Sequence, residues 1–254
     1  MYNFVVCSVF KNESQILEEW LNHYFFHGVE HIYLVNDFST DNYMPILNKF
    51  PGKVTLFQND IITKEVGRQV QIYDKYFKPI LNTSVWVSVL DMDEFLYSPQ
   101  EINIQTTLQM YEDIEMILVD WVHFGSNGHI LQPPSVVEGF TMRASYGKQK
   151  PYYGYKCIFK TKYFDYFGIH ECGVKGNKLR LQYTETSDVP RLLINHYNIQ
   201  SLEFYLSVKQ TRGDINNWFD HQNLRRDEKY FEYYDDNDIE DKRLYEQNKN
   251  VITI

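Results

Sequence analysis

The stretch Trp86-Val87-Ser88-Val89-Leu90-Asp91-Met92-Asp93-Glu94-Phe95 constrains this chain more than any other. Its apolar, β-branched start suits a strand covered on both faces, as in the interior of an α/β sheet. The run stops at three carboxylates, Asp91, Asp93 and Glu94. Open α/β sheets place their ligands at the carboxyl ends of such strands. If the extended backbone continued, Asp91 and Asp93 would point the same way. They would then offer two hard oxygen donors to one magnesium or manganese ion, which in turn holds a diphosphate. The plain alternative for a bare Asp-x-Asp is an acidic turn after a strand.

The sequence upstream supports the sheet. Residues 4–10 form an apolar run and read as a first strand. Asn12 reads as a helix N-cap with Gln15 at the capping-box position, and Ile16, Leu17, Trp20, Leu21, Tyr24 and Phe25 follow at helical period. Gly28 is placed to end that helix. Residues 31–35 and 54–57 read as further strands, and 65–77 as a helix opening near Gly67. Alternation of this kind indicates a parallel sheet with helices on its faces. Right-handed crossovers would bring Asn12, Asp37, Asp91 and Asp93 to one edge.

From Ile117 the texture changes. Residues 117–124 read as a strand, Gly125, Gly128, Pro133 and Pro134 follow, and 155–159 make a shorter strand. This half reads as a mixed α+β region supplying the acceptor side of a cleft. Ser201 is a candidate N-cap for a helix over 201–212. Between Asp227 and Arg243 eight acidic residues outnumber three basic ones, which predicts a solvated tail or peripheral helix. The expected division is a domain over 1–226 and an acidic tail over 227–254.

A chain of 254 residues with 43% hydrophobic content can form one large α/β domain with a real core. A formal charge of −9 argues against nonspecific nucleic-acid binding yet leaves room for a locally basic pocket. Cys7, Cys157 and Cys172 are odd in number and widely spaced, which predicts buried thiols in a reducing compartment. The start, Met1 to Cys7, lacks the basic flank of a signal peptide, and no run approaches the ~18 apolar residues of a membrane span. The expectation is a soluble, cytoplasmic protein with no transmembrane segment.

The turn Val35-Asn36-Asp37-Phe38-Ser39-Thr40-Asp41 is the second signal. Asp37 at a strand end, followed by Ser-Thr-Asp, offers acceptors for a base or ribose; alone it reads equally as a self-bonded turn. Together with the acidic strand end, this order resembles the GT-A nucleotide-diphospho-sugar transferases. Lys11-Asn12-Glu13, Glu19-Trp20, His23-Tyr24, Gly28-Val29 and Asn36-Asp37-x-Ser39 resemble glycosyltransferase family 92 and its relatives near family 2. Trp121-x-x-Phe124-Gly125-Ser126-x-Gly128, Lys156-x-Ile158, Gly168-Ile169-His170, Asn195-His196-Tyr197, Ser201-x-x-Phe204 and Lys209-x-x-Arg212-Gly213 extend the resemblance over residues 3–214. The tail beyond Asp214 has no counterpart in it.

The resemblance implies a GT-A, Rossmann-like fold, with a mostly parallel central sheet flanked by helices and a mixed acceptor-side half. It implies Asp91 and Asp93 as the pair for manganese or magnesium, with Glu94 supporting them or structural, and His196 as a further metal or phosphate ligand. Asp37 would contact the base or ribose. Arg68 would present a guanidinium fork to phosphate or ribose, unless it is a salt-bridge residue. Lys209 and Arg212 would share a helical face and neutralise the diphosphate, unless that face is merely solvated. His196 could equally be a satisfied core residue.

The implied reaction moves a sugar from a nucleotide-diphosphate donor to a hydroxyl of a glycan or glycoconjugate, with inversion. It needs a base for the acceptor proton and a metal for the departing diphosphate. Where many inverting relatives carry Glu-Asp, this chain has His170-Glu171. Glu171 and His170 are therefore the leading base candidates, with Asp120 and Asp165 behind them. Trp121, Phe124 and Trp218 could stack on sugar faces or pack the core. Two rivals stand: a nucleotidyltransferase, disfavoured because Val9 to Glu13 holds no glycine, and a noncatalytic sugar-binding module on the same fold.

Overall fold

Strand β1 (Tyr2–Phe10) is the spine of the molecule, and its alternating side chains feed two separate cores. Phe4 and Val6 pack into one and Val5 and Cys7 into the other, as the two-residue period of a strand requires. The structure, a computed structural model, describes residues 1–63, 67–145, 154–182, 190–211, 215 and 226–249. Parallel to β1 run β2 (His31–Asn36) and β4 (Ser84–Val89), and β3 (Val54–Gln58) pairs parallel with β2. The helix Ser14–Phe26 covers the first core with Ile16, Leu17, Trp20 and Leu21. The helix Arg68–Ile72 and the wider helical turn Tyr73–Phe77 cover the second.

The remaining strands are β5 (Glu94–Tyr97), β6 (Met116–His123), β7 (Met142–Arg143), β8 (Tyr155–Lys160), β9 (Phe164–Tyr166), β10 (Gly173–Val174), β11 (Lys178–Leu181), β12 (Leu193–His196) and β13 (Ile239–Glu240). They overturn the expected GT-A architecture. Most strand pairings are parallel, but among the described residues the strands expected in the mixed half join the first four in one sheet, with β8 and β5 running against it. One nine-stranded sheet runs β3-β2-β1-β4-β8-β6-β12-β5, with β11 added to β6. β8 lies between β4 and β6 antiparallel to both, and β5 is antiparallel to β12. The physical reason is the chain's route: after the acidic turn, β5 pairs far from β4 and β8 returns to fill the gap. Apolar composition predicts a buried strand but not its direction.

The start of the first helix also differs from expectation. Asn12 sits in the left-handed region, at φ 53°, and does not cap. Asp41 Oδ2 accepts the Ser14 N–H at 2.7 Å instead, while Asn12 Oδ1 accepts the Thr40 N–H at 2.7 Å and Ser39 Oγ the Asn12 N–H at 3.0 Å. The loops after β1 and β2 are thereby laced together at one sheet edge. Gly28 does end the helix, at φ 89°.

The acidic stretch, expected to be a solvated tail or a peripheral helix, forms helices over Glu228–Tyr234 and Arg243–Asn248 and packs onto the domain over its described part. Asp241 is buried and accepts from Arg143 Nε at 2.9 Å, and Asp235 Oδ1 accepts the Ser126 N–H at 2.7 Å. In the helix Arg243–Asn248, Leu244 joins the first core and Asn248 inserts between two buried histidines. Its Nδ2 donates to His23 Nδ1 at 3.0 Å, and its Oδ1 lies 2.8 Å from His27 Nε2. Replacing Asn248 with leucine strands two buried imidazole nitrogens, so Asn248→Leu is expected to cost about 1–3 kcal/mol. Urea unfolding of the two proteins measures it, and an unchanged midpoint and slope would refute the role.

Candidate active site

The chain does not stay extended after β4. The Glu94 N–H donates to the Asp91 carbonyl at 3.1 Å, closing a tight turn through Met92 and Asp93. Trp20 and Tyr24, one turn apart on the first helix, fix it from below. Trp20 Nε1 donates to the carbonyls of Asp91 at 3.2 Å and Glu94 at 3.1 Å, and Tyr24 Oη to that of Glu94 at 2.8 Å. The Tyr197 N–H donates to the Asp93 carbonyl at 2.8 Å. With the backbone so held, both aspartate side chains reach the floor of one cleft by a turn, not by strand alternation.

Two buried lysines hold these acids. Lys156, on β8, places Nζ 3.0 Å from Asp91 Oδ2 and 3.7 Å from Glu94 Oε2. Lys209, at the end of the helical turn Tyr205–Lys209, donates to Asp93 Oδ2 and lies 3.9 Å from Glu13 Oε1. Burial works against the Lys156 ammonium, but Asp91 and Glu94 outweigh it and raise its pKa well above the usual lysine value. Burial drives the Glu94 carboxyl well above the usual range, against the pull of Lys156. Burial also pushes His196 down to about 4, although Asp93 pulls the other way. At neutral pH His196 is therefore an uncharged imidazole, the form that binds metals. Its Nε2 lies 3.7 Å from Asp93 Oδ1, and its buried Nδ1 has no hydrogen-bond partner among the described residues.

The cleft encloses about 390 Å³. Lys11, Glu13 and Asp37 line it beside β1 and β2, and Asp91 and Asp93 lie at its middle. Rings form the other wall: Trp121 lies 4.4 Å from His196 and 5.3 Å from His170, and His123 lies 5.0 Å from His196 and 5.3 Å from Tyr234. Among the described residues no group of three or more His, Cys, Asp or Glu side chains forms a metal cage.

The site residues anticipated from sequence are distributed unevenly. Asp37, Asp91, Asp93, His170, His196 and Lys209 all line the cleft. Arg68 stands behind Asp37, fully buried, and grips it with two bonds, Nη1 to Oδ2 at 3.0 Å and Nη2 to Oδ1 at 2.6 Å. Asn59 Nδ2 adds a third bond to Asp37 Oδ1 at 2.7 Å. The Arg68 fork thus meets a carboxylate of the protein itself.

Glu171 lies outside the cleft, accepting from Lys178 Nζ at 2.7 Å and Tyr155 Oη at 2.9 Å, and the Lys178 bond lowers its pKa. Asp120 is buried against Arg180 Nε at 2.9 Å, Asp165 is exposed on β9, and Phe124 is a core residue. Arg212 and Trp218 fall outside the described residues. Sequence reasoning gave no role at the site to Glu13, Lys156, His123, Arg226, Tyr230 or Tyr234. A lysine inside the apolar run 155–159 was a readable signal for Lys156; Tyr230 and Tyr234 carried none.

Removing one partner of a buried ion pair leaves an uncompensated charge, at a cost of about 3–5 kcal/mol. Arg68→Ala is expected to lose stability on that scale, and Arg68→Lys to recover only part of it because the two-pronged geometry is gone. Chemical denaturation decides; a loss under about 1 kcal/mol would show that the pair is not structural.

No curated protein matches the chain. Among solved structures, residues 1–349 of TarS from S. aureus in complex with UDP share 20% identity over 52% of this chain and 38% of that one, with a TM-score of 0.34. The chain thus spans well under half of that TarS chain. HddC from Yersinia pseudotuberculosis shares 13% identity over 71% of this chain and 90% of that one, with a TM-score of 0.40. The profile of glycosyltransferase family 92 matches residues 2–244, nearly the whole sequence with the acidic turn, both lysines and the ring-lined wall inside it, and the chain belongs to that family of sugar-transferring enzymes.

Proposed function

We propose that this cleft transfers a sugar from a nucleotide-diphosphate donor to a hydroxyl of a glycan or glycoconjugate, with a divalent cation and with inversion. The observation that carries the reading is the acidic turn at the cleft floor, bracketed by Lys156 and Lys209. The donor set suits the ion. Magnesium and manganese commonly bind through one or two carboxylates and complete their shell with substrate phosphate and water, so a full protein cage is not required. Asp91 and Asp93 would supply the carboxylates and His196 a neutral imidazole. When bound, the cation supplies Lewis-acid stabilisation of the departing diphosphate.

The chain's own groups do the rest. Lys156 and Lys209 keep Asp91 and Asp93 oriented side by side. Lys209 also brings positive charge to the cleft, where a diphosphate would sit. Asp37, held by Arg68 and Asn59, presents a fixed acceptor edge for a base or ribose hydroxyl. Of the four base candidates His170 lines the cleft, and its imidazole takes the acceptor hydroxyl proton as the new bond forms at the anomeric carbon. Trp121, packed edge-on to His170, limits where that ring can turn.

The test is donor binding and slow hydrolysis across UDP-, GDP- and dTDP-sugars, with manganese or with chelator. One nucleotide is expected to be released in a manganese-dependent way, and Asp93→Asn should abolish the metal-dependent binding. His170→Ala should keep donor affinity and slow transfer by about 10²–10⁴. Binding to no donor would sink the catalytic reading, and turnover indifferent to chelator would sink the metal.

A further inference from the structure

Cys157 and Cys172 are fifteen residues apart and looked unrelated in sequence, yet their sulfurs lie 3.5 Å apart in the second core. Cys157 follows Lys156 on β8, and Cys172 follows His170-Glu171 at the end of the turn before β10. That turn is tight. A Cβ at Gly168 would lie 2.2 Å from the Glu171 carbonyl oxygen, so the turn closes on itself directly before Cys172. Cys7, the third thiol, lies in the same core but has neither of the other two as its sulfur partner here.

We propose that Cys157 and Cys172 are a redox modification site, forming a reversible intrachain disulfide that ties the His170 turn to the strand carrying Lys156. The sulfurs need to approach by about 1.5 Å from 3.5 Å to reach a bond of about 2.05 Å. With hydrogen peroxide as oxidant the chemistry balances. The Cys157 thiolate attacks one peroxide oxygen, the O–O bond breaks, and a sulfenic acid forms while the leaving hydroxide takes up the proton the thiol released, giving one water. The Cys172 thiol then attacks the sulfenic sulfur, the S–O bond breaks, and a second water leaves with the thiol proton. Two thiols have given up two protons and two electrons, and a dithiol reductant reverses the change by exchange. The Cys172 hydrogen bond lowers the Cys157 pKa, which favours Cys157 as the first nucleophile.

The consequence is mechanical. Ile169 and His170 are exposed at the tip of the turn and both line the cleft, whereas Cys157 and Cys172 are buried beneath it. A covalent bond at the base restricts how far the tip can move. Nothing in this depends on which sugar is transferred, or on whether any is.

The experiment treats the intact protein with hydrogen peroxide, alkylates it under denaturation and maps the peptides by mass. The expected result is a Cys157–Cys172 crosslink, loss of two hydrogens in the intact mass, one remaining alkylated thiol at Cys7, and reversal by dithiothreitol. Hydrogen exchange at Ile169 and His170 should slow in the oxidised form. Cys172→Ser should abolish the crosslink and leave a Cys157 sulfenic acid that dimedone traps. The wild-type map decides even if that variant folds poorly. Three alkylated thiols after oxidation, a crosslink through Cys7, or oxidation of single cysteines to sulfinic acid would each overturn the proposal.

Discussion

Two ammonium groups buried under the acidic turn are what allow the turn to exist. Asp93, Glu94 and Glu13 are buried together and Asp91 joins them from the solvent side, and like charges repel strongly in a poorly screened interior. Lys156 and Lys209 both enter that cluster from later in the chain, on separate elements, each touching two of the acids. Their placement explains two irregularities of the fold. The antiparallel insertion of β8 brings Lys156 beside β4, and the widened helical turn Tyr205–Lys209 puts Lys209 over Asp93. Widened turns of this kind concentrate at functional sites, because the extra residue redirects one side chain.

A carboxylate locked by arginine has a different use from one shared with lysine. Arg68 holds Asp37 from both sides in a planar, two-bond grip, with Asn59 completing the shell. The edge of Asp37 that faces the cleft is therefore rigid. Asp91, by contrast, is 42% exposed and meets Lys156 through one oxygen, so part of its coordination capacity faces solvent. The first arrangement immobilises the carboxylate, and the second leaves an oxygen open to solvent.

How much was legible follows the same divide between local and distant causes. The strands β1 to β4, β6 and β8, the first helix and its glycine stop were readable, because each rests on apolar periodicity or on a single backbone preference. The direction of β8 was not, since antiparallel insertion is decided by the route of the connection. Asn12 does not cap because Asp41, far along the chain, provides the oxygen instead. The contacts that hold the run of acids after Asp227 against the domain are not legible locally, because its partners, Ser126 and Arg143, are about a hundred residues away. At the cleft, Glu13 and Lys156 lie inside recognisable motifs whose spelling does not say which acids or lysines they meet, while Tyr230 and Tyr234 belong to no motif.

The plug formed by Asn248 between His23 and His27 has a consequence for synthesis. Those partners are separated by 221 and 225 residues, so the first helix emerges from the ribosome long before its imidazoles can be satisfied. Contacts of such sequence separation are slow to form, because the closure entropy precedes any reward. Arg226, Tyr230 and Tyr234 reach the cleft from the same late segment. A nascent chain thus carries its acidic turn with only part of the cleft wall until residues 226–234 have been made.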